Sequence, residues 1–279
     1  MKDHPDMPID SKTELYGVFG NPVGHSLSPV MHNAAFRHLN VNAVYLAFGV
    51  EDIGSGIAAV RSLHIRGVSI TIPHKIDILP FLDGLDSLAE RIGAVNTVVR
   101  KEGRLIGYNT DASGAVAALA EKTEIKGKHV AVIGAGGAAR AVGFGVRSEG
   151  ASVTIINRTH EKGKDLADEL NGLFCSPEDF ESSAFDILIN TTSVGMAPHT
   201  DETPVPPQSL EKGMVVMDIV YNPLRTRLLR EAAERGCILV DGLAMFVYQG
   251  AFQLKLWTCM KAPIGVMRSE VLKALENRT

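Results

Sequence analysis

Cysteine is scarce in this chain and badly placed for cross-linking. Cys175, Cys237 and Cys259 are odd in number, widely spaced and contain no CxxC pair. That excludes a disulfide framework or a zinc ribbon, and a reducing, cytoplasmic setting is expected. No metal site is expected. Positive charge is also short, with 28 Lys and Arg against 32 Asp and Glu, a net charge of -4. A nucleic-acid binder usually carries a basic surface, so none is expected as a partner. Long hydrophobic runs are absent too. The longest candidate, residues 130–146, is interrupted by five glycines and Arg140, short of the roughly 20 apolar residues a membrane helix needs. The first 17 residues are polar and lack the apolar core of a signal peptide, so no export signal and no membrane partner are expected.

What remains is ordinary globular composition: 279 residues with 45% hydrophobic and 22% charged. Length predicts about two domains. Residues 1–13 read as a loose tail. Tyr16–Gly20 reads as a strand running into a turn at Asn21-Pro22, and Ser28-Pro29 as a helix start with apolar residues behind it. Residues 44–48 read as a second buried strand, 53–63 as helix, and 67–72 as a strand stopping at Pro73. This alternation predicts an α/β layer with a mostly parallel sheet. Residues 95–99 and 105–108 flank Lys-Glu-Gly-Arg, a hairpin signal with Gly103 in the turn. A helix is expected over 112–122.

A second α/β series opens at Val130–Ile133, with further strands at 153–156, 187–189, 215–217 and 238–240. Helices are expected near 161–170 and 226–235, and the closing stretch, 243–277, reads as helices again. Gly134-Ala135-Gly136-Gly137-Ala138-Ala139 directly follows the first of these strands and opens a helix. This G-x-G-x-x-A pattern is a dinucleotide fingerprint. Small residues permit a tight turn and close approach of a pyrophosphate to free N–H groups at the helix start. A plain Gly-rich turn without ligand is the competing reading. At the end of the next strand, where an NAD-binding chain usually carries Asp or Glu, stand Asn157, Arg158 and Thr159. A carboxylate repels a 2′-phosphate and Arg158 attracts one, so NADP is favoured. A solvated Arg158 paired with Glu161 is the alternative.

Eight motifs in order carry a resemblance to the shikimate dehydrogenase family. They are Gly20-Asn-Pro-Val-Gly-His-Ser26-Leu-Ser28-Pro-Val-Met-His, Thr71-Ile-Pro-His-Lys75, Ala94-Val-Asn96-Thr97, Asn109-Thr-Asp111 and the Gly134 to Arg140 turn. Asn190-Thr-Thr-Ser-Val-Gly-Met196, Asp218-Ile-Val-Tyr221-Asn-Pro and Asp241-Gly-Leu-Ala-Met245-Phe-Val-Tyr-Gln249 complete the set. The resemblance implies NADPH-dependent reduction of the 3-keto group of 3-dehydroshikimate to shikimate, in aromatic amino-acid biosynthesis. It also implies an N-terminal α/β substrate domain, 1–112, to which helices 243–279 return. A Rossmann-type NADP-binding domain, 113–242, is inserted between them, with the active site in the cleft.

By that resemblance, Lys75 and Asp111 form the catalytic pair, which suits a reaction needing a proton donor to a forming alkoxide. Ser26 and Ser28 hold the substrate carboxylate with help from Tyr221; in an extended stretch, residues two apart point the same way. Thr71, Asn96, Asp111 and Gln249 bind ring hydroxyls. Gly134, Ala135, Gly136, Gly137, Ala138, Asn157, Arg158, Thr159, Thr191, Val220, Gly242 and Met245 bind the cofactor, the last two beside the nicotinamide. Arg140 is expected to join Arg158 as a basic pair near the phosphates.

Structural readings compete for several of these. Lys75 is open to solvation, Asp111 to capping the helix at Ala112, Ser28 to starting a helix, Asn96 to a turn and Met245 to the core. His25 and His74 match no catalytic position of the family. Ser28 and Arg158 favour shikimate and NADP over quinate and NAD. A quinate/shikimate dehydrogenase of broader specificity and a silent NADP-binding regulator are the alternatives. The state expected is monomer or homodimer.

Overall fold

The computed structural model describes residues 9–277. Residues 1–8 of the expected tail lie outside the described residues. The chain divides into two compact units, one ending at Thr110 and resuming at Gly250, the other spanning Asp111–Gln249.

The first unit contains β1 (Glu14–Gly20), α1 (Ser28–His38), β2 (Ala43–Gly49), α2 (Ile53–Ser62), β3 (Gly67–Ile70), β4 (Gly84–Leu85), α3 (Ser87–Ile92), β5 (Thr97–Lys101) and β6 (Arg104–Tyr108). Its sheet runs β2-β1-β3-β5-β6-β4. β1 pairs in parallel with β2 and β3, whereas β5 pairs antiparallel with both β3 and β6. The sheet is mostly parallel, with β4 also pairing in parallel to β6, and the hairpin strand β5 supplies its two antiparallel pairings. The hairpin turn has Glu102 at φ 51° and Gly103 at φ 80°. Two consecutive positive φ values give the turn whose twist matches that of paired strands. Phe19, Ile57, Val60, Val68, Ile70, Val95, Val98 and Leu105 form the core here.

Two expectations need correction. β2 is not a buried strand: it lies at the sheet edge, only Tyr45 is buried, and Leu46 is 43% exposed. The Asn33 side chain shields that edge, donating to the Tyr45 carbonyl and accepting from the Tyr45 N–H, both at 2.8 Å. β3 ends at Ile70, two residues early, as the Ile72 carbonyl turns to accept from Asn21 N–H at 3.0 Å. β4 and α3 were not read from the sequence, although Asp86 caps α3 on Leu88 N–H and Gly93 closes it at φ 68°.

The second unit contains α4 (Thr110–Ala120) from Asp111 on, β7 (His129–Ile133), α5 (Gly137–Ser148), β8 (Ser152–Ile156), α6 (His160–Glu169), β9 (Leu173–Cys175), β10 (Ile187–Asn190), β11 (Val215–Asp218), α7 (Arg227–Glu234), β12 (Ile238–Val240) and α8 (Gly242–Thr258) as far as Gln249. Its sheet is parallel throughout, in the order β12-β11-β10-β7-β8-β9. Counted from β7 that is 3-2-1-4-5-6, the Rossmann order, and the strand order reverses between β7 and β10. The last helix, α9 (Ile264–Glu276), packs on α1 in the first unit. Among the described residues, no helix is long and apolar enough to cross a membrane.

Candidate active site

In the first unit, the segments after parallel strands β1 and β3 lie side by side. Asn21 N–H donates to the Ile72 carbonyl, and Thr71 N–H donates to the Phe19 carbonyl at 2.9 Å. Val95 N–H reaches the Lys75 carbonyl at 2.8 Å, and Ile70 N–H the Asn96 carbonyl at 2.8 Å. These backbone links bring Ser26, Ser28, Thr71, Lys75 and Asn96 to one edge of the sheet, beyond the carboxyl ends of its parallel strands. That edge is where α/β sheets bind ligands.

The stretch from Ser26 to Ser28 is not extended. Ser28 N–H donates to the Ser26 hydroxyl at 3.2 Å, and Ser28 is the first residue of α1. The side chains approach each other through a turn, not through strand alternation. Ser28 starts the helix without capping it, since no side-chain cap bond forms there. Lys75 is half-buried, in turns following β3. His74 is buried with its Nε2 2.6 Å from the Val50 carbonyl, whereas His25 is exposed.

Asn96 is 2% exposed and does more than form a turn. Its Oδ1 accepts from Thr110 N–H at 2.7 Å and from the Thr97 hydroxyl at 2.8 Å, and its Nδ2 donates to Thr110 Oγ1 at 3.0 Å. One amide hydrogen remains for a ligand hydroxyl.

In the second unit, Asp111 and Gln249 are both buried. α4 begins at Thr110, so Asp111 sits within its first turn and is not the cap expected before Ala112. α4 and α8 approach closely at Gly114, where an added Cβ would come within 2.8 Å of Gln249 Cβ and 3.0 Å of the Met245 carbonyl. This contact brings Asp111, Met245 and Gln249 together along the α4–α8 seam. Met245 is buried, and Tyr221 stacks on Phe246 with ring centroids 4.8 Å apart. Gly242 lies against the Ile219 and Val220 carbonyls, which a Cβ would meet at 2.5 Å.

The Gly-rich turn sits at the switch point between β7 and β10. Gly134 takes φ 113° and lies so close to Thr191 that a Cβ would fall 2.8 Å from its Oγ1. Gly134 N–H donates to the Ile156 carbonyl at 2.8 Å, and Thr191 Oγ1 donates to the Ile133 carbonyl at 2.6 Å. Around Gly136 and Gly137 an added Cβ meets nothing within 4 Å, and no side chain caps α5. Open space before uncapped N–H groups is what a pyrophosphate requires, so the turn fits a dinucleotide.

Asn157 donates to the Thr159 carbonyl at 2.8 Å, which shapes the loop after β8. Arg158 is exposed and forms no ion pair with Glu161 among the described residues. Arg140 is different: both of its terminal nitrogens bond the two carboxylate oxygens of Glu169. The expected basic pair is thus corrected to one exposed cation, Arg158, because Glu169 on α6 already balances Arg140.

One cluster carried no assigned role in the sequence. Asp218 is fully buried and accepts from Asn190 Nδ2 at 3.0 Å, Thr226 Oγ1 at 2.6 Å and Val220 N–H at 3.1 Å. It ties the loops after β10 and β11, which carry Thr191, Val220 and Tyr221. Burial pushes its carboxyl up to about 6, against the pull of those donors. The available signal was a polar residue ending each of two apolar parallel strands.

Three family models match in chain order. They are the shikimate dehydrogenase substrate binding domain over residues 18–98, shikimate / quinate 5-dehydrogenase over 117–221, and the shikimate 5'-dehydrogenase C-terminal domain over 242–272. Shikimate dehydrogenase (NADP(+)) of Bacillus cereus (strain G9842) is 47% identical over 94% of this chain and 99% of its own. The enzyme of the same name from Thermococcus kodakarensis is 48% identical over 95% and 98%. The solved shikimate 5-dehydrogenase of Thermus thermophilus, in complex with NADP(H) and shikimate, superposes with a TM-score of 0.89. It is 38% identical and covers 94% of this chain and 100% of its own.

Proposed function

The chain belongs to the shikimate dehydrogenase family, and we propose that it interconverts 3-dehydroshikimate and shikimate with NADP(H) as cofactor, in the route to aromatic amino acids. The observation that carries this reading is the completeness of the site. Every polar side chain that the family resemblance calls for is present. Ser26, Thr71, Lys75 and Tyr221 follow parallel strands, Ser28 opens α1, Asn96 precedes β5, and Asp111 and Gln249 lie on α4 and α8.

When bound, the cofactor supplies the hydride. Gly134, Ala135, Gly136, Gly137 and Ala138 hold its pyrophosphate against the first turn of α5. Arg158, flanked by Asn157 and Thr159, takes the 2′-phosphate through charge-assisted hydrogen bonds worth roughly 1.5–3 kcal/mol each. Thr191, Val220, Gly242 and Met245 line the nicotinamide side. Ser26 and Ser28 hold the substrate carboxylate with Tyr221, while Thr71, Asn96, Asp111 and Gln249 fix the ring hydroxyls.

Lys75 and Asp111 act as the acid–base pair. Reduction of the ketone places negative charge on its oxygen, and the ammonium of Lys75 stabilises that charge and delivers the proton. Asp111 orients the ammonium, and in the reverse direction the neutral Lys75 amine takes the proton of the substrate hydroxyl. Three cysteines without a disulfide suit a cytoplasmic enzyme. The test is product identification. Purified protein with 3-dehydroshikimate and NADPH should yield shikimate by chromatography, and unchanged substrate would refute the reading.

A further inference from the structure

At the carboxyl ends of β10 and β11, paired side by side in the second sheet, stand two fully buried polar residues, Asn190 and Asp218. Neither belongs to the proposed substrate or cofactor contacts. Every hydrogen-bonding position of the Asn190 amide is used. Its Nδ2 donates to Asp218 Oδ1 at 3.0 Å and to the Val194 carbonyl at 3.3 Å. Its Oδ1 accepts from the Thr192 N–H at 3.0 Å and from the Thr192 hydroxyl at 2.7 Å. Thr192 Oγ1 accepts in turn from Val194 N–H at 3.2 Å, so one side chain shapes the loop 191–194.

Asp218 does the same for the loop after β11. Its Oδ1 also accepts from Val220 N–H at 3.1 Å, and its Oδ2 accepts from the Thr226 hydroxyl at 2.6 Å. Thr226 is itself fully buried and caps α7 on Leu229 N–H at 3.3 Å. The two loops meet again where Ala197 N–H donates to the Asn222 carbonyl at 3.1 Å. Asp218 thus faces three donors and, among the described residues, no ion-pair partner. A carboxylate buried without a cation is costly, and an apolar side chain would serve packing without that cost. What the carboxylate adds is a joint between segments. On one side of the joint is Thr191, which bonds the Ile133 carbonyl and lies against Gly134. On the other are the Ile219 and Val220 carbonyls, which lie against Gly242 at the start of α8. The loop that carries Arg158 has a separate tie, from Gly134 N–H to the Ile156 carbonyl at the end of β8.

We propose that Asp218, with Asn190 and Thr226, is a positioning residue for the nicotinamide half of the cofactor. It fixes the wall formed by Thr191, Val220 and Gly242, and leaves the adenosine half to the Gly134 turn and Arg158. The inference rests on the reading above that these three residues face the nicotinamide. Asp218 has no need to touch the cofactor. A loosened wall costs twice, in affinity for the ring and in the alignment that hydride transfer requires.

The test separates the two halves of the cofactor. Calorimetry measures binding of NADPH and of adenosine 2′,5′-bisphosphate, which carries the 2′-phosphate but no nicotinamide, with kcat and melting temperature alongside. Asp218→Ala is expected to weaken NADPH about tenfold, to lower kcat by about tenfold or more, and to leave the bisphosphate within about twofold. Asp218→Asn keeps an oxygen toward Asn190 and Val220 and should recover most of both losses. Thr226→Val is the second arm, for the case that Asp218→Ala does not fold. It removes one of the three donors and should show the same split to a smaller degree. Equal weakening of both ligands, or of neither, in a folded variant overturns the positioning role alone. Wild-type protein that binds neither ligand overturns the NADP reading and the inference built on it.

Discussion

Asn96 accepts the Thr110 N–H at 2.7 Å, so the first turn of α4 is capped by a side chain fourteen residues upstream. The proposed function assigns the same amide to a substrate hydroxyl, which would give Asn96 a structural and a binding role at once. Replacing it with Ala removes the acceptor and leaves a buried N–H unpaired. Urea denaturation of Asn96→Ala should show a loss of about 1–3 kcal/mol, and kcat/KM for shikimate should fall as well. Full stability in that variant would contradict the capping role.

Lys75 carries the proposed proton transfer, and its half-buried side chain belongs to no hydrophobic core. Lys75→Ala should therefore keep its melting temperature and its affinity for NADP+. Its kcat should fall on the order of 10²–10⁴-fold, the usual contribution of a positioned acid. Near wild-type turnover would remove Lys75 from the mechanism.

Arg158 stands exposed at the end of β8 without an ion-pair partner among the described residues, whereas Arg140 is held by Glu169. On the proposed reading, phosphate recognition depends on Arg158. Arg158→Glu should reverse the preference between NADPH and NADH, measured as the ratio of kcat/KM for the two. Arg140→Gln should leave that ratio nearly unchanged.

His32 gives the fold a dependence on acid. Its ring is buried and titrates near 3 in the folded chain, against 6.5 when exposed. Between those values the unfolded chain binds the extra proton, so stability contributed by the neutral ring is lost as pH falls. The slope is about 1.4 kcal/mol per pH unit for one group. Denaturation curves between pH 6 and 4 should flatten by roughly that amount in His32→Asn. An unchanged slope would mean His32 is not the group titrating.

Local chemistry made part of this molecule readable from residues alone. The Gly134 turn, the Glu102-Gly103 hairpin and the apolar strand β10 announce themselves within a few positions, because turn sterics and burial act locally. The parallel order of the second sheet follows from alternating strands and helices. Other features depend on partners far away. Ser26 and Ser28 read as an extended pair until the turn between them is seen, and Arg140 reads as a phosphate ligand until Glu169 is found on the next helix. Gln253 carries no signal of its own in the sequence, and only the folded chain shows Ser69, Thr97 and His32 around it. Edge position explains β2: its alternation is that of a strand, but nothing in its own residues says that one side has no neighbour.

The central claim is best tested by following cofactor absorbance with four pairs: shikimate or quinate with NADP+ or NAD+. Shikimate with NADP+ should give the highest kcat/KM by at least about tenfold, because on the proposed reading Arg158 favours the extra phosphate, and charge-assisted contacts of this size discriminate by that much. Equal or faster oxidation of quinate with NAD+ would contradict the account.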